Sequence, residues 1–146
     1  MWEYEYAADS TATPAAVWAV WADILAWPAW NAGVAEIAID GPFAPGTGFT
    51  MTPPGDEPIT MRLTEVEPGE RFTDVMDAGD FLVTTVHRLE ARPSGGTRVV
   101  YRTEITGPAA GQVGPELGPA ITGDFPEVVA ALCRRAEAAP AAPAAG

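Results

Sequence analysis

Residues 81–106, FLVTTVHRLEARPSGGTRVVYRTEIT, decide the fold. Two runs of alternating character flank the turn triplet Ser94-Gly95-Gly96, so the stretch reads as the two antiparallel strands of one hairpin. Arg88 and Glu90 demand solvent. The two-residue period of a strand then sends Phe81, Val83, Thr85, His87 and Leu89 to the opposite face. In the second run Arg98, Arg102 and Glu104 point outward, which leaves Val99, Tyr101, Thr103 and Ile105 inside.

The same punctuation extends backwards. Between Val34 and Thr106, short alternating runs are separated by Gly41-Pro42, Pro45-Gly46, Pro53-Pro54-Gly55-Asp56, Pro68-Gly69 and Gly79-Asp80, which predicts six hairpin-linked strands. Trp2, Tyr4 and Tyr6 alternate with Glu3 and Glu5 and add a first strand, giving a seven-stranded antiparallel sheet. Thr13-Pro14 has the form of a helix cap followed by proline at the first helical position, and Val17, Trp21 and Ile24 recur on one helical face. In Trp27-Pro28-Ala29-Trp30-Asn31 the proline disfavours helical geometry in its predecessor, which predicts a broken helix or turn.

Forward of Gly107-Pro108 lies a stretch interrupted by Gly and Pro. Asp124-Phe125-Pro126-Glu127 then has the form of a capping box. Ile121, Phe125, Val128 and Leu132 share one side at helical spacing with Val129 flanking, so a terminal helix closes the core, with a kink or break expected at Gly123 or Pro126. The expected fold class is therefore α+β, a curved seven-stranded antiparallel sheet around a C-terminal helix in the order β-α-α-β6-α. One domain is expected over residues 1–138, followed by a disordered Ala/Pro tail over 139–146.

Composition narrows the function. Twenty acidic residues against eight basic ones give a net charge of -12, and every basic residue is Arg. Without Lys no Schiff base can form, and an acidic surface repels nucleic acid and anionic lipid. One Cys excludes an internal disulfide, and one His leaves no ordinary Cys/His zinc site. Carboxylate-only metal binding has no motif behind it, and no cofactor motif is present. No apolar run approaches the roughly 20 residues that span a bilayer. The opening MWEYEYAADS is acidic where a secretory signal is basic, so a cytoplasmic protein is expected.

Three segments carry a resemblance: TPAAVWAVWADILAWPAWNAGV from Thr13, LTEVEPGERF from Leu63 and HRLEARPSGGTRVVYRTEITGP from His87. With the order of elements, they make the chain similar to the SRPBCC superfamily, also called START-like or pollen-allergen-like. Within it the chain resembles the small bacterial polyketide cyclase/dehydrase or lipid-transport-like proteins. The resemblance implies a helix-grip fold and a deep cavity between sheet and final helix that receives apolar or aromatic ligands. It fixes no reaction, because the matching segments are scaffold.

Strand parity selects the expected cavity wall. Phe49 and Met51 oppose Thr50 and Thr52, Met61 opposes Arg62, and of the two faces of 71–77 the set Phe72, Asp74 and Met76 is taken as inward. With Val83, Thr85, Thr103, Trp30, Phe125 and Val129 these are the expected ligand contacts; Trp27 is expected to plug the junction of helix and sheet. His87, Tyr101 and Asp74 are the candidate catalytic groups. An imidazole and a phenol can abstract a proton beside a ketone and polarise the carbonyl, and burial raises a carboxyl's pKa into a useful range. Each has a plainer reading as well: core filler for the methionines, a rim or strand-bonded Asp74, a structural His87-Tyr101 pair. Cys133 reads as inert packing. The expected function is binding of a hydrophobic or aromatic small molecule, with aldol cyclisation or dehydration of a polyketide as the enzymatic version. The alternatives are a non-catalytic carrier or sensor of a hydrophobic metabolite, and a chaperone ATPase activator of the same fold acting through its surface. A monomer or homodimer is expected.

Overall fold

The computed structural model describes residues 1–138. Seven strands form one antiparallel sheet: β1 (Trp2–Ser10), β2 (Glu36–Ile39), β3 (Gly48–Thr52), β4 (Ile59–Glu67), β5 (Arg71–Asp77), β6 (Leu82–Ala91) and β7 (Thr97–Thr106). Their spatial order, β1-β7-β6-β5-β4-β3-β2, is a run of consecutive hairpins closed by β1 against β7. Helices α1 (Pro14–Ala22) and α2 (Trp27–Trp30), joined by a 3-10 turn at Ile24–Ala26, link β1 to β2. Helices α3 (Ala110–Thr122) and α4 (Phe125–Ala138) follow the sheet. The expected tail over 139–146 lies outside the described residues.

Thr13 caps α1, its Oγ1 accepting from the Ala16 amide at 3.2 Å, with Pro14 at the first helical position. Trp27 differs from expectation: it is helical (φ -52°, ψ -41°) although Pro28 follows. The proline sits in the first turn of α2, where its missing N–H is no loss, and burial of the Trp27 ring holds the backbone in place.

The larger departure lies after β7, where the chain adds two helices and the expected pattern one. α3 forms although Pro115 and Pro119 lie inside it. Tertiary contact overrides propensity here: a Cβ at Gly114 would stand 2.6 Å from Trp2 Cβ, and one at Gly118 would enter the Trp2 indole itself. The two glycines give α3 a flat face on which that ring lies. The chain breaks at Gly123-Asp124 and not at Pro126, which is accommodated in the first turn of α4.

A register shift between Leu63 and Glu65 inserts one extra residue in β4 opposite β5. It reverses the side-chain phase, so that Leu63 and Val66 both pack inward while Glu65 turns out to bond Arg71 and Thr73. Phe72 and Asp74, paired with Val66 and Leu63, therefore share the inner face.

The apolar interior is divided in two. One cluster centres on Trp21, Trp27, Phe49, Phe72, Leu63 and α4. A smaller one joins Val83 and Ile105 to α3 through Trp2, Val113, Leu117 and Ile121. The outer face carries ion pairs, among them Arg98 to Asp9 (3.1 Å) and Arg102 to Glu3 (2.7 Å).

Candidate functional site: a cavity under the terminal helices

Between the two clusters lies a cavity of about 610 Å³. Its floor is the inner face of β3 to β7, and its roof is α3, α4 and the segment between them. Tryptophans 21, 27 and 30 close one side.

His87 is the most tightly specified polar group. It pairs directly with Phe72 on β5 and Tyr101 on β7, stacking on the Phe72 ring at 4.0 Å and meeting Tyr101 edge-on at 4.6 Å. Its Nδ1–H donates to the Phe72 carbonyl at 3.3 Å, because a carbonyl can only accept, and in the uncharged ring this leaves the lone pair on Nε2. Burial drives the imidazole's pKa down to about 3, against the weaker opposing effect of backbone bonds at Phe72 and Thr85. At neutral pH the ring is uncharged.

Tyr101 Oη accepts from Trp21 Nε1–H at 3.2 Å and keeps its own proton to donate; burial raises its pKa above the ordinary phenol value. Asp74 lies opposite Thr85 on β6 and borders the cavity. Burial alone pushes its pKa up to about 7, because among the described residues no positive group or donor offsets it. Thr85 is engaged with Thr103, hydroxyl to hydroxyl at 2.9 Å. Trp30 Nε1 is a buried donor without a partner among the described residues.

Of the expected wall, Trp30, Met51, Met61, Phe72, Met76, Val83, Thr85 and Phe125 border the cavity, together with Asp74, His87 and Tyr101. Three expected contacts lie elsewhere. Phe49 turns its ring against Trp27 at 5.9 Å, Thr103 is fully buried behind Thr85, and Val129 is enclosed in the main core. Parity sorts faces, but it does not separate the part of a face lying under a helix from the part left uncovered. Trp27 is both plug and wall.

Leu117, Ile121, Asp124 and Trp21 were not among the expected contacts. Ile121 was legible in the terminal helical stripe and Trp21 in the first one. Leu117 was hidden because the Gly- and Pro-rich stretch around it does not read as a helix. Asp124 read only as a cap, yet it borders the cavity half-buried, its pKa raised by burial.

Among the described residues no group of three or more His, Cys, Asp or Glu can hold a metal ion. None of the described helices is long and apolar enough to cross a membrane.

The same fold occurs in solved structures of low identity. A Thermobifida fusca protein solved by NMR is 23% identical, with a TM-score of 0.76 over 93% of each chain. A point mutant of the Thalictrum norcoclaurine synthase, in complex with a transition-state analogue, is 13% identical, with a TM-score of 0.73 over 92% of each chain. The di-domain ARO/CYC StfQ of the steffimycin biosynthetic pathway is 14% identical, with a TM-score of 0.74 over 92% of this chain and 50% of that one. At such identities the likeness is one of fold. No curated protein matches the chain. The family model described as polyketide cyclase / dehydrase and lipid transport matches residues 1–137, nearly everything the structure describes, and the chain belongs to that family.

Proposed function

We propose that the protein binds an apolar or aromatic small molecule, polyketide-like or lipid-like, in the cavity between its sheet and its terminal helices. The observation that carries this reading is the composition of the wall: a mainly aromatic and aliphatic lining into which only a few polar groups, Asp74, His87, Thr85 and Tyr101 foremost, converge. Its volume falls within the roughly 300–1,000 Å³ usual for small-molecule sites. Trp30, Met51, Met61, Phe72, Met76, Val83 and Phe125 supply the contact area. The methionines adapt to an irregular guest. A panel of apolar ligands followed by thermal shift tests this. A specific ligand at 100 times its dissociation constant stabilises by about 2.7 kcal/mol, and a panel that leaves the melting temperature unmoved removes the reading.

A second reading, catalysis of an aldol closure or dehydration, is favoured by Asp74. A general base works best with a pKa near the operating pH. Asp74 meets this condition at about 7, whereas His87 at about 3 is too weakly basic. Asp74 would take the proton beside one ketone, and the resulting carbanion would attack a second carbonyl. Tyr101 would donate its hydroxyl hydrogen to that oxygen while Trp21 steadies the phenol from behind. In turnover assays with a linear poly-ketone, Asp74→Asn should lower kcat by at least about a hundredfold, and Tyr101→Phe should lower it less. Unchanged turnover in both leaves a carrier or sensor.

A further inference from the structure

The titratable side chains around the cavity are unbalanced in sign. Asp56, Asp74 and Asp124 border it, and no Arg does. Arg71, Arg88, Arg92, Arg98 and Arg102 are held in ion pairs with Asp and Glu of the sheet and its edges, away from it. Asp74 is 7% exposed, and among the described residues nothing hydrogen-bonds or pairs with its carboxyl. A buried carboxyl in that condition is costly, and its open lone pairs face the cavity. Trp21, Trp27, Trp30, Phe72 and Tyr101 line the same cavity, and the face of an aromatic ring attracts a cation and repels an anion. The three carboxyls do not gather into a set able to hold a metal ion, so the cation that suits this wall is an organic one.

We propose that the ligand carries a protonated amine on an apolar or aromatic body, with the amine paired to Asp74. This rests on the reading of the cavity as a ligand site and narrows its ligand class. The groups that share the cavity with Asp74 fit: His87 from β6 is neutral, Tyr101 from β7 stays protonated, and Asp124 and Asp56 at the border bring no positive charge. β4 and α4 present only apolar side chains there. An amine also pulls the Asp74 proton off on binding, whereas an uncharged ligand does not.

Calorimetric titration with three probes of matched shape tests this: 2-(2-naphthyl)ethylamine, 2-(2-naphthyl)ethanol and 2-naphthylacetate. The amine should bind at least tenfold more tightly than the alcohol at neutral pH, and the carboxylate most weakly. Asp74→Asn should bring the amine's affinity down to that of the alcohol. With the native protein, amine affinity should rise about tenfold between pH 6 and pH 8 as Asp74 ionises, and alcohol affinity should stay flat. Equal binding of amine and alcohol, or a flat amine profile, overturns the amine inference and leaves the cavity reading standing. Binding of none of the three overturns both. The pH series needs no variant, so the inference remains decidable even where Asp74→Asn does not fold.

Discussion

Asp74 and His87 occupy neighbouring inward positions on β5 and β6, and burial moves their proton affinities in opposite directions. Folding raises the pKa of Asp74 from 3.8 to about 7, so the native chain binds more protons than the unfolded one in that window. Stability is then lost as pH rises, by about 1.4 kcal/mol per unit. Folding lowers that of His87 from 6.5 to about 3, so stability is gained with rising pH over the corresponding range. Between about pH 4 and 6.5 the two effects cancel. Removing either should expose the other: urea unfolding of Asp74→Asn should show stability rising with pH across that window, and of His87→Gln stability falling. Parallel profiles in both variants and the parent contradict the burial assigned to these side chains. This much was partly legible in the sequence. Alternation about Arg88 and Glu90 sets His87 inward without ambiguity, whereas 71–77 alternates without a decisive charge, and the extra residue in β4 that fixes its phase has no local signature.

At the scale of elements, the strands and the first helix follow from local rules, and α3 does not. Thr13 and Pro14 mark the start of α1 by chemistry a reader of the sequence can apply, and Thr13→Ala should cost about 1 kcal/mol in a denaturation midpoint analysis. α3 carries two prolines and three glycines in 13 residues and exists because Trp2 lies against its Gly114 and Gly118. Its signal sits more than 100 residues away, at the opposite end of the chain. Gly118→Val should displace the helix from that indole and destabilise the protein by on the order of 1–3 kcal/mol, with a change in Trp2 fluorescence. A silent substitution there would mean that Trp2 does not hold α3. The break at Gly123-Asp124 has a consequence for the site: Asp124, between the two helices, is left bordering the cavity.

The molecule as a whole has two apolar clusters where a fully collapsed domain would have one, and the cavity is the space between them. Alternation along the strands and the stripe on the terminal helix tell which residues face inward, and so the fold class can be read from them. They do not tell whether the inward faces meet, because that depends on sheet curvature, on the phase shift in β4 and on the angle between α3 and α4. Phe49, Thr103 and Val129 show the cost: all three are inward, and none reaches the open space. That the uncovered space receives a guest is the central claim. Fluorescence titration with N-phenyl-1-naphthylamine, which is uncharged at neutral pH, tests it directly against Met76→Trp, a variant built to fill the space from β5. The account predicts saturable one-to-one binding to the native protein, weakened at least tenfold in a Met76→Trp protein that melts at the native temperature; equal binding to both, or none to either, would contradict it.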